Sequence, residues 1–251
     1  MKKVDYNERA YFYDLEVSKD NRIVNFLEQI SKKINIEIVV NCPCASGIYI
    51  LDFSNIFKYS YFIDIDNEML NKVKDKINKY SISNVKTLNL NINNLDLLNG
   101  KNDCIIMLNQ GLQYIDINEF QNLLNRLNIN YLILDLFDFK KEGQLTYFNS
   151  NKDNDYYLTR KFKIKNKDIK RYNKHRLIDN KVYFKYNYYI NNNKEYTTEF
   201  KLNNYEFEDI KNIIKNSKYE LYKKYGDYNF KEISSNKGHY ILILKRKKVQ
   251  K

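Results

Sequence analysis

The sequence is poor in the residues that mark disulfide scaffolds, metal centres and membrane spans. It contains no tryptophan, one proline, six glycines, three cysteines and two histidines in 251 residues. Three cysteines make no disulfide framework, and Cys42 and Cys44 have no second pair at zinc-binding spacing, so we expect no metal site. Residues 1–14 lack the apolar core of a signal peptide, and no apolar run is long enough to cross a bilayer. We therefore expect a cytoplasmic protein without a membrane span.

The charge is strongly positive. Lysine and arginine number 43 against 31 acidic residues, which gives a net charge of +12 and a sequence pI near 9.3. Such an excess of positive charge is typical of proteins that bind acidic partners, including nucleic acid and phosphorylated substrates. The abundance of Lys, Asn, Ile and Tyr is equally typical of a genome biased towards adenine and thymine. Charge alone therefore does not identify a nucleic-acid-binding protein.

The first half of the chain alternates helical and strand patterns, which predicts a parallel sheet covered by helices. Asp20, Asp66 and Asp116 each precede a run with helical spacing of apolar residues and are candidate N-caps. The predicted strands are 36–40, 61–65, 85–90, 104–108 and 131–136. A later helix, 206–214, and two last strands, 219–225 and 239–244, complete a seven-stranded sheet.

Residues 144–202 have a different pattern. They are rich in Tyr, Lys and Asn and alternate with period two, which predicts hairpin strands over 169–177, 181–190 and 194–201. Asp179-Asn180 and Asn191–Asn193 are suited to the turns between them. We therefore predict one domain over residues 1–251, with helices on both faces of a mostly parallel sheet. The segment at about 144–202 is predicted to be an antiparallel cap insertion over the ligand edge.

The most informative segment is a strand-turn-helix at residues 38–57. The apolar strand ends in a turn of small residues, Asn41–Gly47, and the next strand ends in Asp64. A tight turn after one strand and a carboxylate at the end of the next is how open α/β sheets hold the ribose of a nucleoside. The glycines usual in that turn are mostly missing, so the pattern is a partial match.

Four segments in this order resemble the class I S-adenosylmethionine-dependent methyltransferases. The first is Asn41-Cys42-Pro43-Cys44-Ala45-Ser46-Gly47, which is similar to a family variant with Pro-Cys before the glycine-rich turn. The second, residues 63–70, has an acid at a strand end and Met-Leu in the following helix. The third is residues 90–95, and the fourth is residues 103–110. The resemblance covers nearly the whole chain and implies a Rossmann-like fold.

The resemblance also implies S-adenosyl-L-methionine as cofactor and S-adenosyl-L-homocysteine as product. Asp64 would bind the ribose hydroxyls, Ile65 and Met69 would pack on adenine, and Asn91 and Ile92 would bind the adenine edge. The turn and the Leu108 carbonyl would hold the methionine portion. Tyr13, which precedes Asp14, matches a tyrosine that precedes an acid near the N-terminus of the small-molecule methyltransferases. The implied cofactor residues are Tyr13, Asn41, Cys42, Ala45, Gly47, Asp64, Ile65, Met69, Asn91, Ile92 and Leu108.

The turn departs from the family pattern at three positions. Asn41 replaces the usual acid, and Pro43 and Ala45 stand where glycine is common. Glycine there permits backbone angles and a close approach that Ala45 resists, so we expect its methyl group to crowd the cofactor. Pro43 disfavours helix at Cys42, which suits a sharp turn after a strand.

Candidates for acceptor chemistry come from several places. A hydroxyl acceptor benefits from a general base, for which His175 in the predicted cap and Asp138 after the fifth sheet strand are candidates. Each has a plain alternative, as a surface histidine on a hairpin and a solvated loop carboxylate, and His239 is interpreted as structural. Substrate contacts are predicted at Tyr11, Gln110, Gln113 and Tyr114.

The expected acceptor is a small polar molecule, such as a sugar or a nucleotide-linked sugar, methylated on oxygen or nitrogen. Residues 109–112 lack the Pro-Pro-aromatic motif of amino-directed nucleic-acid methyltransferases, so nucleic acid is not the expected partner. The tyrosines of 183–189 suit packing of the hairpin on the domain, or alternatively stacking on bases or sugar rings. An RNA methyltransferase and a non-catalytic methyltransferase-like binding protein remain as alternatives. The sequence does not indicate an oligomeric state.

Overall fold

The computed structural model describes residues 10, 13–141, 157–164, 166–233 and 238–248. Their strands form a seven-stranded main sheet and a separate four-stranded sheet. The strands are β1 (Ile38–Asn41), β2 (Tyr59–Asp64), β3 (Val85–Asn89), β4 (Cys104–Met107), β5 (Tyr131–Phe137), β6 (Tyr157–Ile164), β7 (Lys167–Ile178), β8 (Lys181–Ile190), β9 (Asn193–Asn203), β10 (Tyr219–Tyr225) and β11 (His239–Arg246). The helices are α1 (Asn21–Ile34), α2 (Ile50–Ile56), α3 (Asn67–Lys79), α4 (Ile117–Arg126) and α5 (Phe207–Lys215), with 3-10 turns at Ile92–Leu98 and Gly111–Tyr114.

The main sheet has the strand order β10-β11-β5-β4-β1-β2-β3. Strands β1 to β5 pair in parallel, and β11 runs antiparallel to both β5 and β10. The carboxyl ends of β1 to β5 therefore meet at one edge, where ligands bind in open α/β sheets. The amino end of β11 lies at the same edge, since His239 pairs with Phe137. The predicted fold class is confirmed.

The helices cover both faces of the main sheet. Apolar residues of α1, α2 and α3 form one core with one face, and those of α4 and α5 form another core with the opposite face. Each predicted N-cap is present: the side chains of Asp20, Asp66 and Asp116 accept hydrogen bonds from backbone N–H groups in the first helical turn. In the described residues no helix is long and apolar enough to cross a membrane.

The four-stranded sheet, called the cap below, has the order β6-β7-β8-β9 with antiparallel pairing throughout. Its turns at Asp179-Asn180 and Asn191-Asn192 have positive φ at both residues, as the tight hairpin turns require. The cap has its own apolar core, which includes Val182, Tyr188 and Leu202. The sequence did not delimit β6, and residues 142–156, which include the predicted start of the insertion, lie outside the described residues.

Candidate active site

A cavity of about 640 Å³ opens at the carboxyl edge of the main sheet. Its wall is built from the turn after β1, from the ends of β2, β3 and β4, and from the segments that follow them. Glu199, Phe200 and Lys201 on β9 close it from the cap side, and Tyr13 contributes from the N-terminal segment. The cavity therefore lies between the main sheet and the cap.

The turn after β1 is fixed by backbone hydrogen bonds to the neighbouring strands. The Cys42 N–H donates to the Ile106 carbonyl at 3.0 Å, and the Cys44 N–H donates to the Ile63 carbonyl at 2.8 Å. The Cys42–Pro43 peptide is cis, and Ala45 has a φ of 47°. This left-handed conformation turns the Ala45 N–H towards β2, where it donates to Asp64 Oδ2 at 2.8 Å.

Asp64 ends β2 in the cavity wall. Its Oδ1 accepts from the Asp66 N–H at 3.0 Å, so one backbone donor fixes each carboxylate oxygen. Burial raises the pKa of Asp64, and the two backbone donors oppose that rise. The carboxylate thus has a fixed direction and unused lone pairs, which suits it to accept hydrogen bonds from a pair of vicinal hydroxyls.

Asn41, at the end of β1, presents a buried acceptor to the same cavity. The residue is 3% exposed and lines the wall, and its Oδ1 has no hydrogen-bond partner among the described residues. A buried polar atom without a partner carries a desolvation cost, which a ligand donor would remove. Asn41 Oδ1 is therefore placed to accept from a donor such as an amino group.

The predicted adenine-side residues lie together at the β2–β3 end of the cavity. Met69 is buried, Ile65 is exposed, and both line the wall with Asn91 and Ile92. Asn91 also caps the following 3-10 turn, since its side chain accepts from the Asn93 N–H at 2.9 Å. Its oxygen retains a second lone pair for a ligand. Together with the residues above, this wall includes every predicted cofactor residue except Gly47.

Gly47 and Gln110 lie outside the cavity wall, although their sequence neighbours contribute to it or to the turn beside it. Gly47 has a φ of 70° and faces α3, where an added Cβ would lie 3.0 Å from a Val73 methyl carbon. Gln110 is outside the wall, whereas its neighbour Gly111 is in it. An added Cβ at Gly111 would meet Pro43 Cδ at 2.5 Å, so glycine is required for this close approach.

Gln113 joins the main sheet to the cap. Its amide nitrogen donates to the Phe137 and Asn203 carbonyls at 2.9 and 2.7 Å, and its oxygen accepts from the Phe137 N–H at 2.9 Å. The fully buried side chain thus uses both its donors and its acceptor within the protein. Gln113 lies outside the cavity wall, whereas Tyr114 is in it. Tyr11 lies outside the described residues.

The two predicted bases are also buried away from the cavity. Asp138 is 2% exposed, and its Oδ1 accepts from the Lys140 N–H and from the Asn204 amide. His175 is 5% exposed and packs in the cap against Phe184 and Tyr186. Burial, followed by the charge of Arg171, lowers the pKa of His175 to about 4. The surface environment considered for His175 and the solvated loop considered for Asp138 are therefore not observed.

Several wall residues have no signal in the sequence. Tyr49 immediately precedes α2 and Glu119 lies on α4. Glu199, Phe200 and Lys201 come from a strand about 90 residues beyond the turn after β4. The four segments quoted above contain further wall residues: Pro43, Cys44, Asp66, Leu90, Asn93 and Asn109. The nearby thiols are not candidate nucleophiles, since burial raises the pKa of Cys42 and Cys44 well above the usual value. Over the described ranges, no group of three or more His, Cys, Asp or Glu is arranged to hold a metal ion.

Residues 39–129 match the family model of a methyltransferase domain. The chain has the class I methyltransferase fold and carries a methyltransferase domain. The matched segment begins in β1 and ends before β5, so it contains the four strands whose ends form the cavity. The resemblance inferred from the sequence is confirmed at this level. A comparison with curated protein sequences gives no significant match.

Solved structures similar to this chain are distant in sequence. A S-adenosylmethionine-dependent methyltransferase from Clostridium acetobutylicum is 16% identical, with a TM-score of 0.78 over 97% of this chain and 99% of that one. An amino pentose methyltransferase from Micromonospora echinaspora is 10% identical, with a TM-score of 0.69 over 98% and 99%. A sugar N-methyltransferase from Streptoalloteichus is 10% identical, with a TM-score of 0.69 over 98% and 95%. At these identities the similarity establishes a shared fold that includes the cap.

Proposed function

We propose that the protein transfers a methyl group from S-adenosylmethionine to an oxygen or nitrogen of a small polar acceptor. The favoured acceptor class is a sugar or a nucleotide-linked sugar. The observation that carries the proposal is the Asp64 carboxylate, which is fixed in the wall of the cavity by the Ala45 and Asp66 N–H groups. This geometry provides two oriented acceptors for the ribose hydroxyls of the cofactor.

The remaining wall fits the other parts of the cofactor. S-adenosylmethionine supplies a methyl group that is already activated on a sulfonium, so the protein mainly provides position and exclusion of water. Ile65 and Met69 provide apolar surface for the adenine, and Asn41 Oδ1 is an acceptor for the amino group of the methionine portion. In this proposal the adenosine lies at the ends of β2 and β3 and the methionine portion at the ends of β1 and β4.

The acceptor side of the cavity continues along the cap. A second cavity of about 560 Å³ shares Glu199, Phe200 and Lys201 with the first one. Its wall also contains the cations Lys174 and Arg176 and the rings of Tyr183 and Phe184. Guanidinium and ammonium groups bind phosphate and carboxylate, and aromatic faces pack on sugar rings and bases. We therefore favour an acceptor that carries an anionic group and binds along β9, where the two cavities meet.

Two of the proteins with similar structures are named as an amino pentose methyltransferase and a sugar N-methyltransferase. They share the cap as well as the methyltransferase domain with this chain, because the similarity covers 98% of it. The cap is the part that closes the acceptor side of the cavity here. This agreement in architecture supports a sugar as the acceptor class.

Calorimetric titration with S-adenosylhomocysteine tests the cofactor site. We expect saturable binding to the wild-type protein and an affinity at least about 100-fold lower for Asp64→Ala, since two hydrogen bonds to a charged group are lost. Asp168→Asn is the matched control, because it removes an exposed carboxylate from the start of β7 in the cap. Melting temperatures of both variants separate loss of binding from loss of folding. Equal affinity of Asp64→Ala and the wild type contradicts the proposed site.

Transfer of a labelled methyl group tests the acceptor class. The panel contains amino sugars, neutral sugars, their phosphates and nucleotide-linked forms. We expect the highest kcat/KM among members with a phosphate, and a preferential loss for those members in Lys201→Ala. Lys163→Ala is the matched control. Lys163 lies on β6, at the cap edge opposite β9, and it is outside both cavities. Equal kcat/KM for acceptors with and without phosphate contradicts the role of the basic cap surface.

A further inference from the structure

A buried carboxylate on β5 holds an imidazole on β11 at the ligand edge of the sheet. His239 Nε2 lies 2.7 Å from Asp135 Oδ1, and Asp135 is 2% exposed. The other oxygen, Asp135 Oδ2, accepts from the Tyr228 hydroxyl at 2.7 Å and from the Asn109 N–H at 2.8 Å. Neither His239 nor Asp135 has a role in the function proposed above.

The ring of His239 is held in place on two sides. It stacks on Phe137 with ring centroids 4.4 Å apart and planes inclined by 15°, and Tyr228 contacts it edge-on at 5.7 Å. The side chain is nevertheless 21% exposed, in contrast to the 3% exposure of the Asp135 side chain. The orientation is therefore fixed while part of the ring remains accessible.

The strand order places this imidazole beyond the strands to which the proposed function assigns the methionine portion of the cofactor. Along the carboxyl edge, β3 and β2 provide the adenosine side, β1 and β4 provide the methionine side, and β5 and β11 come next. Asn109, whose N–H binds the same Asp135 carboxylate, lines the cavity. His239 is not in the cavity wall, so an acceptor reaches it by extending from the methionine side across the end of β5.

The hydrogen bonds determine which ring nitrogen is available. The Asn109 N–H can only donate, and an ionised carboxylate can only accept, so Asp135 acts as an acceptor at both oxygens. A neutral imidazole then carries its proton on Nε2 and donates it to Asp135 Oδ1. Nδ1 is left as an acceptor. This arrangement is that of a base whose tautomer a buried carboxylate fixes.

We propose that His239 is the general base of the methyl transfer and that Asp135 and Tyr228 are its positioning residues. The inference rests on the proposed function. In the step, Nδ1 takes the proton from the acceptor O–H or N–H while the acceptor atom bonds to the methyl carbon. The carbon–sulfur bond breaks with its electron pair remaining on sulfur. The imidazolium that forms is stabilised by the Asp135 carboxylate and later releases its proton to solvent.

The charged and titratable groups around the imidazole are consistent with this role. Asp135 faces it from β5, Tyr228 faces it from the segment before β11, and Asp227 lies close enough to interact electrostatically with it. Burial and the Asp135 charge raise the pKa of Tyr228 well above its usual value, so Tyr228 remains a hydrogen-bond donor. Both carboxylates carry the charge opposite in sign to that of the imidazolium that proton transfer produces.

Nitrogen-15 spectra of the histidine rings provide a test that needs no acceptor. The chain has two histidines, so spectra of His239→Gln assign both rings. In the complex with S-adenosylhomocysteine we expect His239 to be the Nε2–H tautomer with an unprotonated Nδ1 at neutral or mildly basic pH. In Asp135→Asn the amide oxygen keeps the Asn109 and Tyr228 donors, and the amide nitrogen faces Nε2, so the proton moves to Nδ1. An Nδ1–H tautomer in the wild-type complex overturns the proposal.

Kinetics with the best acceptor of the panel provide the second readout. We expect kcat to fall by about 10²- to 10⁴-fold in His239→Gln and in Asp135→Asn, and the decrease of kcat at acidic pH to disappear in His239→Gln. Tyr228→Phe should have a smaller loss, because the carboxylate and the imidazole remain. His175→Gln tests the other candidate base, and we expect its kcat to remain close to that of the wild type. Unchanged kcat in His239→Gln overturns the proposal, whereas absence of cofactor binding by the wild type contradicts the proposed function instead.

Discussion

Ala45 adopts a backbone conformation that is usually left to glycine. Its φ of 47° costs an L-residue with a Cβ about 1–2 kcal/mol relative to the right-handed regions. The conformation persists because the Ala45 N–H donates to Asp64 and the flanking Cys44 N–H is fixed to β2. The turn therefore carries backbone strain at Ala45.

Substitution Ala45→Gly should relieve that strain. Part of the gain is lost because glycine increases the entropy of the unfolded chain by about 0.4–1 kcal/mol. We expect the free energy of unfolding to rise by up to about 1 kcal/mol and the affinity for S-adenosylhomocysteine to be equal or higher. Chemical denaturation and calorimetry measure the two quantities.

The control is the same substitution at Ala10, which is helical and buried. Glycine in a helix costs about 1 kcal/mol relative to alanine, so Ala10→Gly should change the stability in the opposite direction. A loss of stability in both variants indicates that the Ala45 methyl group stabilises the turn by packing. In that case the strain attributed to its φ is not the dominant contribution.

At the scale of elements, the N-terminal segment is attached to both the turn after β1, called the cofactor turn below, and the cap. Residues 13–16 are helical, and Asp14 binds the Ser46 hydroxyl and pairs with Lys76 at 2.9 Å. Two residues later, Glu16 pairs with Arg171 on β7 at 2.8 Å. These two attachments place Tyr13 in the cavity wall. The segment therefore links the cofactor turn to the cap across the cavity.

The Glu16–Arg171 pair should contribute substantially to this link. Their side chains are 1% and 12% exposed, and Arg171 also lies 4.5 Å from the Tyr186 ring centre. Removal of one partner leaves the other charge buried, which costs about 3–5 kcal/mol. We expect losses of this order in chemical denaturation for Glu16→Gln and for Arg171→Met. The double variant should lose less than the sum of the two.

The exposed pair Lys163–Asp168 on the cap is the matched control. Its side chains are 77% and 64% exposed, and such pairs contribute less than about 1 kcal/mol. Asp168→Asn should therefore leave the unfolding midpoint nearly unchanged. Additive losses at Glu16 and Arg171 would mean that the two side chains are not coupled in solution.

Local patterns predict the elements, whereas contacts distant in sequence decide what the elements do. The caps at Asp20, Asp66 and Asp116 act on backbone two or three residues away, so the sequence alone locates them. The His239–Asp135 contact joins residues 104 positions apart, and the Glu16–Arg171 contact spans 155 positions. No periodicity or motif encodes such a pairing. The sequence alone therefore favours a structural role for His239.

The same distinction applies to the candidate site. The residues on the turn after β1 and at the end of β2 follow strand ends, so their meeting at one edge is a consequence of parallel pairing. Gln113 also follows a strand end, but Asn203, 90 residues later, draws its amide away from the cavity. Successive side chains of β7 point to opposite faces of the cap, so the strand pattern places His175 on one of the two faces. Which of the two faces is buried depends on the residues that pack against it. Side-chain direction at these positions depends on tertiary contacts.

At the scale of the whole molecule, the protein has a main sheet with two apolar cores and a cap with a third one. The cap strands pair with one another and not with the main sheet. The attachments described above are hydrogen bonds of Gln113 and Asn203 and the pair of Glu16 with Arg171. We therefore expect the cap to open with a lower free energy than the main sheet, which exposes the acceptor side of the cavity.

The cap should open more readily in mild acid because of His175. Its pKa is lowered from 6.5 to about 4 in the folded cap, so the neutral ring contributes no pH dependence above pH 6.5. As the pH falls from 6.5 to 4, the open cap gains a proton that the closed cap does not bind. Stability is lost in this window and not above it. At pH 5 the free energy needed to open the cap is lower by about 2 kcal/mol than at neutral pH.

Hydrogen exchange at pH 7 and pH 5, corrected for intrinsic rates, tests this whole-molecule expectation. Amides of β7 and β8 should lose about 2 kcal/mol of opening free energy at pH 5, and those of β1 and β4 should lose less. His175→Gln removes the titrating group, so its cap amides should show little change between the two pH values beyond that of the main sheet. Equal losses in both sheets of the wild type would mean that the cap and the main sheet open as one cooperative unit. Access to the acceptor side would then require unfolding of the cofactor site itself.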